Sequence, residues 1–227
     1  MSTDLILFDI DGTLLDSGNI IIGAQERTAA ELGLVHPGRE AGFGVVGLSL
    51  DLALAKLFGD AVPVADLSAT YKRIFNAMRG SAGFEEPLFR GVPAMLSKLD
   101  RWGGTKLGIA TGKTRRGLDY VVEMYGWHDL FVTFQTADNA PSKPDPGMIL
   151  QAMRDSGSVP HRTVMIGDSV HDMRMAKAAG VTAIAVAWGF QPPHMLVEAG
   201  ADMVARSVPD LPGLIAEALR RPLPLAV

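Results

Sequence analysis

Short apolar runs of strand length alternate with helical patterns along most of this chain, and that alternation limits its fold more than any other feature. The runs are residues 5–9, 106–110, 131–135, 163–166 and 182–186, each bounded by small or turn-forming residues. Helical patterns between them cover 91–102 with Pro93 in the first turn, 114–125 closed by Gly126, and 171–179 closed by Gly180. Strands that alternate with helices are joined by right-handed crossovers, which produces a parallel sheet covered on both faces. The expected fold class is α/β, with a doubly wound, Rossmann-like parallel sheet.

One interval breaks the alternation. Between residues 16 and 87 the pattern is helical, with helices expected at 17–32, 49–58 and 64–79 and no strand-like run between them. A block of about 70 residues is too long for an ordinary βα connection, so residues 16–86 are expected to form a small α-helical domain. It would be inserted into a core domain made of 1–15 and 87–227. The junctions near Asp16-Ser17 and at 81–87 are expected hinges, and the tail 220–227, with two prolines, is expected to be loose.

Composition narrows the chemistry. Hydrophobic residues make up 48% of the 227 and charged residues 20%, enough for a packed core and too little charge bias for a disordered chain. A net charge of −4 offers no broad positive field, so neither nucleic acid nor an anionic membrane is an expected partner. The absence of cysteine excludes disulfides, thiolate metal sites and a cysteine nucleophile. The apolar run 5–8 is too short for a signal peptide, and no stretch approaches the roughly 18 apolar residues of a membrane span. The expectation is a cytoplasmic protein, monomer or homodimer, whose chemistry rests on serine, aspartate or a hard metal.

The first strand runs into Asp9-Ile10-Asp11-Gly12-Thr13. In an open parallel sheet, ligands bind at the carboxyl ends of strands, so two carboxylates reach the functional edge and Gly12 lets the backbone turn beside them. The fourth strand ends in Ile166-Gly167-Asp168-Ser169, and Asp172 follows four residues after Asp168, a spacing that places both on one helical face near its start. Taken alone, that pair reads equally as a helix cap. Four carboxylates meeting at one edge repel unless a cation intervenes, and an all-oxygen set without histidine spacing suits Mg²⁺. The second strand ends in Thr111-Gly112-Lys113, a turn able to hold an oxyanion, and Lys143 lies in Ser142-Lys143-Pro144-Asp145-Pro146.

Together these motifs resemble the haloacid dehalogenase superfamily of phosphohydrolases, in the branch with a helical cap inserted after the first motif, like phosphoglycolate phosphatases. The resemblance continues in Asp16-Ser17 at the cap entry, Ala187-Trp188-Gly189-Phe190 after the fifth strand, and Gly200-Ala201-Asp202, so it spans essentially the whole chain. It implies that Asp9 is the nucleophile and Asp11 the acid and base. Asp9, Asp11 and Asp168 would hold Mg²⁺ with Asp172 close by, and Thr111, Gly112 and Lys143 would bind phosphate. The implied reaction is hydrolysis of a small phosphate monoester, phosphoglycolate-like or a sugar phosphate, through an aspartyl-phosphate. Gly47, in a loop where relatives meet substrate, and Lys113, able to reach a second anionic group, are further candidates; each also reads as packing or a solvated charge. A dehalogenase or phosphonate-cleaving relative lacks the second aspartate that Asp11 supplies. A phosphomutase shares all four motifs, and a non-catalytic phosphate-binding module would keep the fold.

Overall fold

The computed structural model describes residues 3–81, 84 and 86–222. Its centre is a six-stranded, wholly parallel sheet of β1 (Asp4–Phe8), β2 (Thr105–Ala110), β3 (Phe131–Gln135), β4 (Thr163–Gly167), β5 (Thr182–Val186) and β6 (Met203–Ala205), in the order β3-β2-β1-β4-β5-β6. Strand alternation assigns each face its own core. Ile6, Phe8, Val164, Ile166, Ile184 and Val186 join one apolar cluster, while Leu5, Leu7, Met165, Ala183 and Ala185 join the other.

The first face is covered by α5 (Val92–Asp100), α6 (Arg115–Tyr125) and α10 (Leu211–Ala218), and the second by α7 (Gly147–Ser156), α8 (Val170–Ala179) and α9 (Pro193–Glu198). The helix ends follow the expected signals. Thr114 caps α6 by accepting the Gly117 N–H at 3.2 Å, and Gly126 and Gly180 close α6 and α8 in the left-handed conformation. All five expected strands are present. β6 was not anticipated, because three residues are too few to display a period.

The interval after β1 is helical among the described residues: α1 (Gly18–Glu31), α2 (Arg39–Gly44), α3 (Leu50–Phe58) and α4 (Val64–Arg79). Three of these match the expected helices. α2, with two glycines in six residues, has no periodic stripe to announce it. The chains entering and leaving this interval run side by side, with the Asp16 N–H donating to the Pro87 carbonyl at 2.8 Å and the Phe89 N–H to the Leu14 carbonyl at 3.0 Å. Residues 82, 83 and 85 of the expected second hinge lie outside the described residues, as does 223–227 of the tail.

The chain leaves β1 toward β2 and β3 on one side and later fills β4, β5 and β6 on the other, so the order reverses at β1. A crevice opens at the carboxyl ends of strands where such a reversal occurs.

Candidate active site

Asp9 directly follows β1, and its N–H donates to the Ile166 carbonyl at 2.9 Å. The sheet ladder thus continues one residue beyond the strand and holds the Asp9 backbone in place. Gly12 has φ +82°, and a Cβ there would lie 2.1 Å from Oδ2 of Asp168. Glycine is needed both for the turn and to admit the carboxylate arriving from β4.

Asp9, Asp168 and Asp172 are buried, with one carboxylate oxygen from each lying within 4.8 Å of the others. Lys143 is fully buried between them and donates from Nζ to Asp9 Oδ1 at 2.8 Å and to Asp172 Oδ1 at 2.6 Å. One ammonium faces three carboxylates. Burial pushes Asp9 up to about 7, with Asp172 and Asp11 adding to the rise and Lys143 opposing it. Asp168 is raised well above the usual range by burial, and next by the charge of Asp9. Burial works against the Lys143 charge, but Asp172 and Asp9 outweigh it, so its pKa is raised and it stays an ammonium.

A divalent cation suits this donor set. Asp9 Oδ2 is buried without a hydrogen-bond partner, the excess charge is negative, and every donor is a hard oxygen. Both oxygens of Asp172 are committed, Oδ1 to Lys143 and Oδ2 to the N–H and hydroxyl of Ser169. Contrary to the expectation from their spacing, Asp168 and Asp172 do not share a helical face: Asp168 precedes α8 and accepts the Phe190 N–H at 2.8 Å, while Asp172 closes a capping box with Ser169. Asp172 thus caps α8 with one oxygen and meets Lys143 with the other.

Thr111 follows β2, buried, and its N–H donates to the Gln135 carbonyl at 3.0 Å. A Cβ at Gly112 would lie 2.4 Å from the Leu48 carbonyl oxygen and 2.6 Å from that of Gly47, so the loop before α3 rests directly on the β2 turn. Gly47 therefore lines the site through its main chain. Further contacts hold the inserted helices down: the Ser49 N–H donates to Ser142 Oγ at 2.8 Å, His171 Nε2 meets the Gly44 carbonyl at 3.1 Å, and Phe43 stacks on Phe190 at 4.9 Å.

Lys113 differs from its expected use. Its ammonium pairs with Asp11 Oδ1 at 2.9 Å and Glu86 Oε1 at 3.0 Å, which leaves it engaged rather than open to a second anion. Burial again opposes its charge, and Asp11 with Glu86 raises its pKa. Asp11 Oδ1 also accepts the Ser17 hydroxyl at 2.5 Å. The other oxygen of the buried Glu86 accepts Arg79 at 3.2 Å, and that guanidinium lies 4.0 Å from the Tyr120 ring centroid. A chain of contacts thus runs from Asp11 through Lys113 and Glu86 to Arg79 of α4 and on to α6. No motif announced Glu86, Arg79 or Tyr71, whose phenol is raised by burial and by the charges of Asp11 and Glu86. Between the strand ends and the inserted helices lies a cavity of ≈ 430 Å³ bounded by Asp9, Asp11, Thr111 and Lys113 on the sheet side.

The family model described as haloacid dehalogenase-like hydrolase matches residues 6–186. A probable phosphatase, IndB, of Dickeya dadantii is 32% identical over 214 residues, 92% of each chain. The pyrophosphatase PpaX of Halalkalibacterium halodurans is 29% identical over 93% of this chain and 96% of its own. A solved haloacid dehalogenase-like hydrolase from Streptococcus pneumoniae superposes with a TM-score of 0.78 at 26% identity, covering 93% of this chain and 98% of that one. With its strand-end aspartates, buried lysine and a match across most of its length, the chain belongs to the haloacid dehalogenase-like hydrolases.

Proposed function

We propose that this hydrolase is a magnesium-dependent phosphatase that cleaves a small organic phosphate monoester through an aspartyl-phosphate on Asp9. The observation that supports it is the buried contact of one lysine with Asp9 after β1 and Asp172 in the first turn of α8, with Asp9 lining the same cavity as Asp11 and Thr111. Asp9 attacks phosphorus, the bond to the ester oxygen breaks, and Asp11 gives that oxygen its proton. Water then attacks the same phosphorus, Asp11 takes its proton, and the Asp9 carboxylate departs as phosphate leaves. Ser17 and Lys113 hold Asp11 Oδ1 in place, which fixes the carboxyl group for both proton transfers. Lys143 and Thr111 bind phosphoryl oxygens and offset the charge that develops on them.

Asp9, Asp168 and the main-chain carbonyl of Asp11 would hold Mg²⁺, with Asp172 beside it fixing Lys143. When bound, the ion neutralises charge on the carboxylates and the phosphoryl oxygens. Residues 16–86 act as a cap that excludes water while residues 1–15 and 87–227 carry the chemistry.

Phosphoglycolate, sugar phosphates and pyrophosphate form the first panel. Phosphate release with Mg²⁺, lost with a chelator and lost in Asp9→Asn, is the expected result. Release that persists in a folded Asp9→Asn protein removes this reading.

A further inference from the structure

The roof of the cavity differs in kind from its floor. On the side of the inserted helices it is lined by Ile21, Val46, Leu48, Leu50, Leu54 and Phe75. Phe75 carries the Tyr71 ring stacked on it at 5.8 Å. Of the polar groups on this wall, the Tyr71 phenol lies near Asp11 and Glu86 at the floor, and buried Gln25 is engaged at both ends, its Nε2 donating to the Gly42 carbonyl at 3.3 Å and its Oε1 meeting His36 at 3.1 Å. The cations that reach inward, Lys113 and Arg79, share Glu86. Lys72, Asn76 and Arg116 also border the cavity, at exposed positions.

A leaving group rich in hydroxyls would meet aliphatic carbon with few free partners, and each unmatched buried polar group costs roughly 5- to 150-fold in affinity. A volume of ≈ 430 Å³ falls in the range of about 300–1,000 Å³ that holds a whole small organic molecule, so a two-carbon acid or a second phosphate would leave most of the wall in contact with water.

Building on the phosphatase reading, we infer that the preferred substrate is a phosphate monoester of an apolar alcohol, alkyl or aryl, whose body packs against this wall. The enzyme then selects by apolar area, while the phosphoryl group is read by the floor.

The test is a series of n-alkyl phosphates from ethyl to hexyl, with phosphoglycolate and pyrophosphate alongside. Leaving-group acidity is nearly constant in the alkyl series, so kcat/KM should rise by about four-fold per methylene over the first few carbons. Val46→Thr and Leu50→Gln should flatten that slope; Val46→Thr keeps the side chain's shape should Leu50→Gln fail to fold. A flat or falling slope, or phosphoglycolate or pyrophosphate outpacing butyl phosphate, overturns the inference and leaves the phosphatase standing. Calorimetric binding of the same alkyl phosphates to Asp9→Asn protein separates the two readings. Affinity that rises with chain length supports the inference even if wild-type protein releases no phosphate, whereas affinity independent of chain length overturns it.

Discussion

The floor of the cavity, built from the ends of β1 and β2, rests through Asp9 on a lattice of buried charges that includes Lys143 and Asp172, and is backed by two large apolar clusters. The roof, built from α1, α3, α4 and the loop between α2 and α3, is largely apolar and backed by a small cluster of Val45, Leu48 and Ala53 with Leu57 against it. The difference separates two tasks. Chemistry at phosphorus needs the same charges in the same places for every ester, so it is anchored to the part of the molecule that deforms least. Selection of the leaving group falls to thinly packed helices, where a changed side chain leaves the sheet intact.

The largest test of that division is Asp9→Asn. Turnover should fall by at least about 10⁴-fold, read as phosphate release, because the nucleophile is gone. Calorimetry of the metal-free variant at neutral pH should show no loss of thermal stability, since the substitution removes a charge that burial and Asp172 make unfavourable. Lys143→Ala comes next. It leaves the buried Asp9 and Asp172 without their shared ammonium partner, so denaturant unfolding should register a loss of about 3–5 kcal/mol, and turnover should drop by about 10²–10³-fold. No single roof substitution should combine the two losses.

A smaller effect is expected where the halves touch. In Gly112→Val the new side chain would occupy the space of the Leu48 carbonyl and lift the roof off the floor. Displacement of that order should lower kcat/KM by about 10²-fold with little change in the melting temperature. Unaltered kinetics would mean that roof and floor work independently.

The smallest effect is electrostatic and confined to the floor. The folded, metal-free chain holds a proton on Asp9 up to about 7, while an unfolded chain releases it near the ordinary value of 3.8. The Asp9 share of stability should therefore fall as pH rises from about 4 to about 7 and level off above, with Asp168 contributing in the same direction. Asp9→Asn should reduce this slope in melting curves, and roof substitutions should leave it unchanged.

The floor was legible in the sequence because strand periodicity locates strand ends, and strand ends in a parallel sheet locate ligands. Asp9 and Asp168 are far apart in the chain, yet that reasoning brought them to one edge; Lys143, which ends no strand, was reached only through the family resemblance. The contacts of Lys113 were illegible for the opposite reason. Glu86 sits in an aperiodic linker, and only the three-dimensional path of the returning chain turns it toward Lys113 and Arg79. The seating of Gly47 and Leu48 on Gly112 is likewise a contact between main chains, which no side-chain pattern encodes. α2 and β6 escaped notice because six and three residues are too short to show a period.

The central claim is that Asp9 carries the phosphoryl group. Acid quenching during turnover with Mg²⁺, followed by borohydride reduction, converts an aspartyl-phosphate to homoserine, which peptide mass spectrometry assigns to a position. Homoserine at residue 9, absent without substrate, is the predicted result. Homoserine at another aspartate, or phosphate released in quantity with residue 9 never converted, would contradict the account.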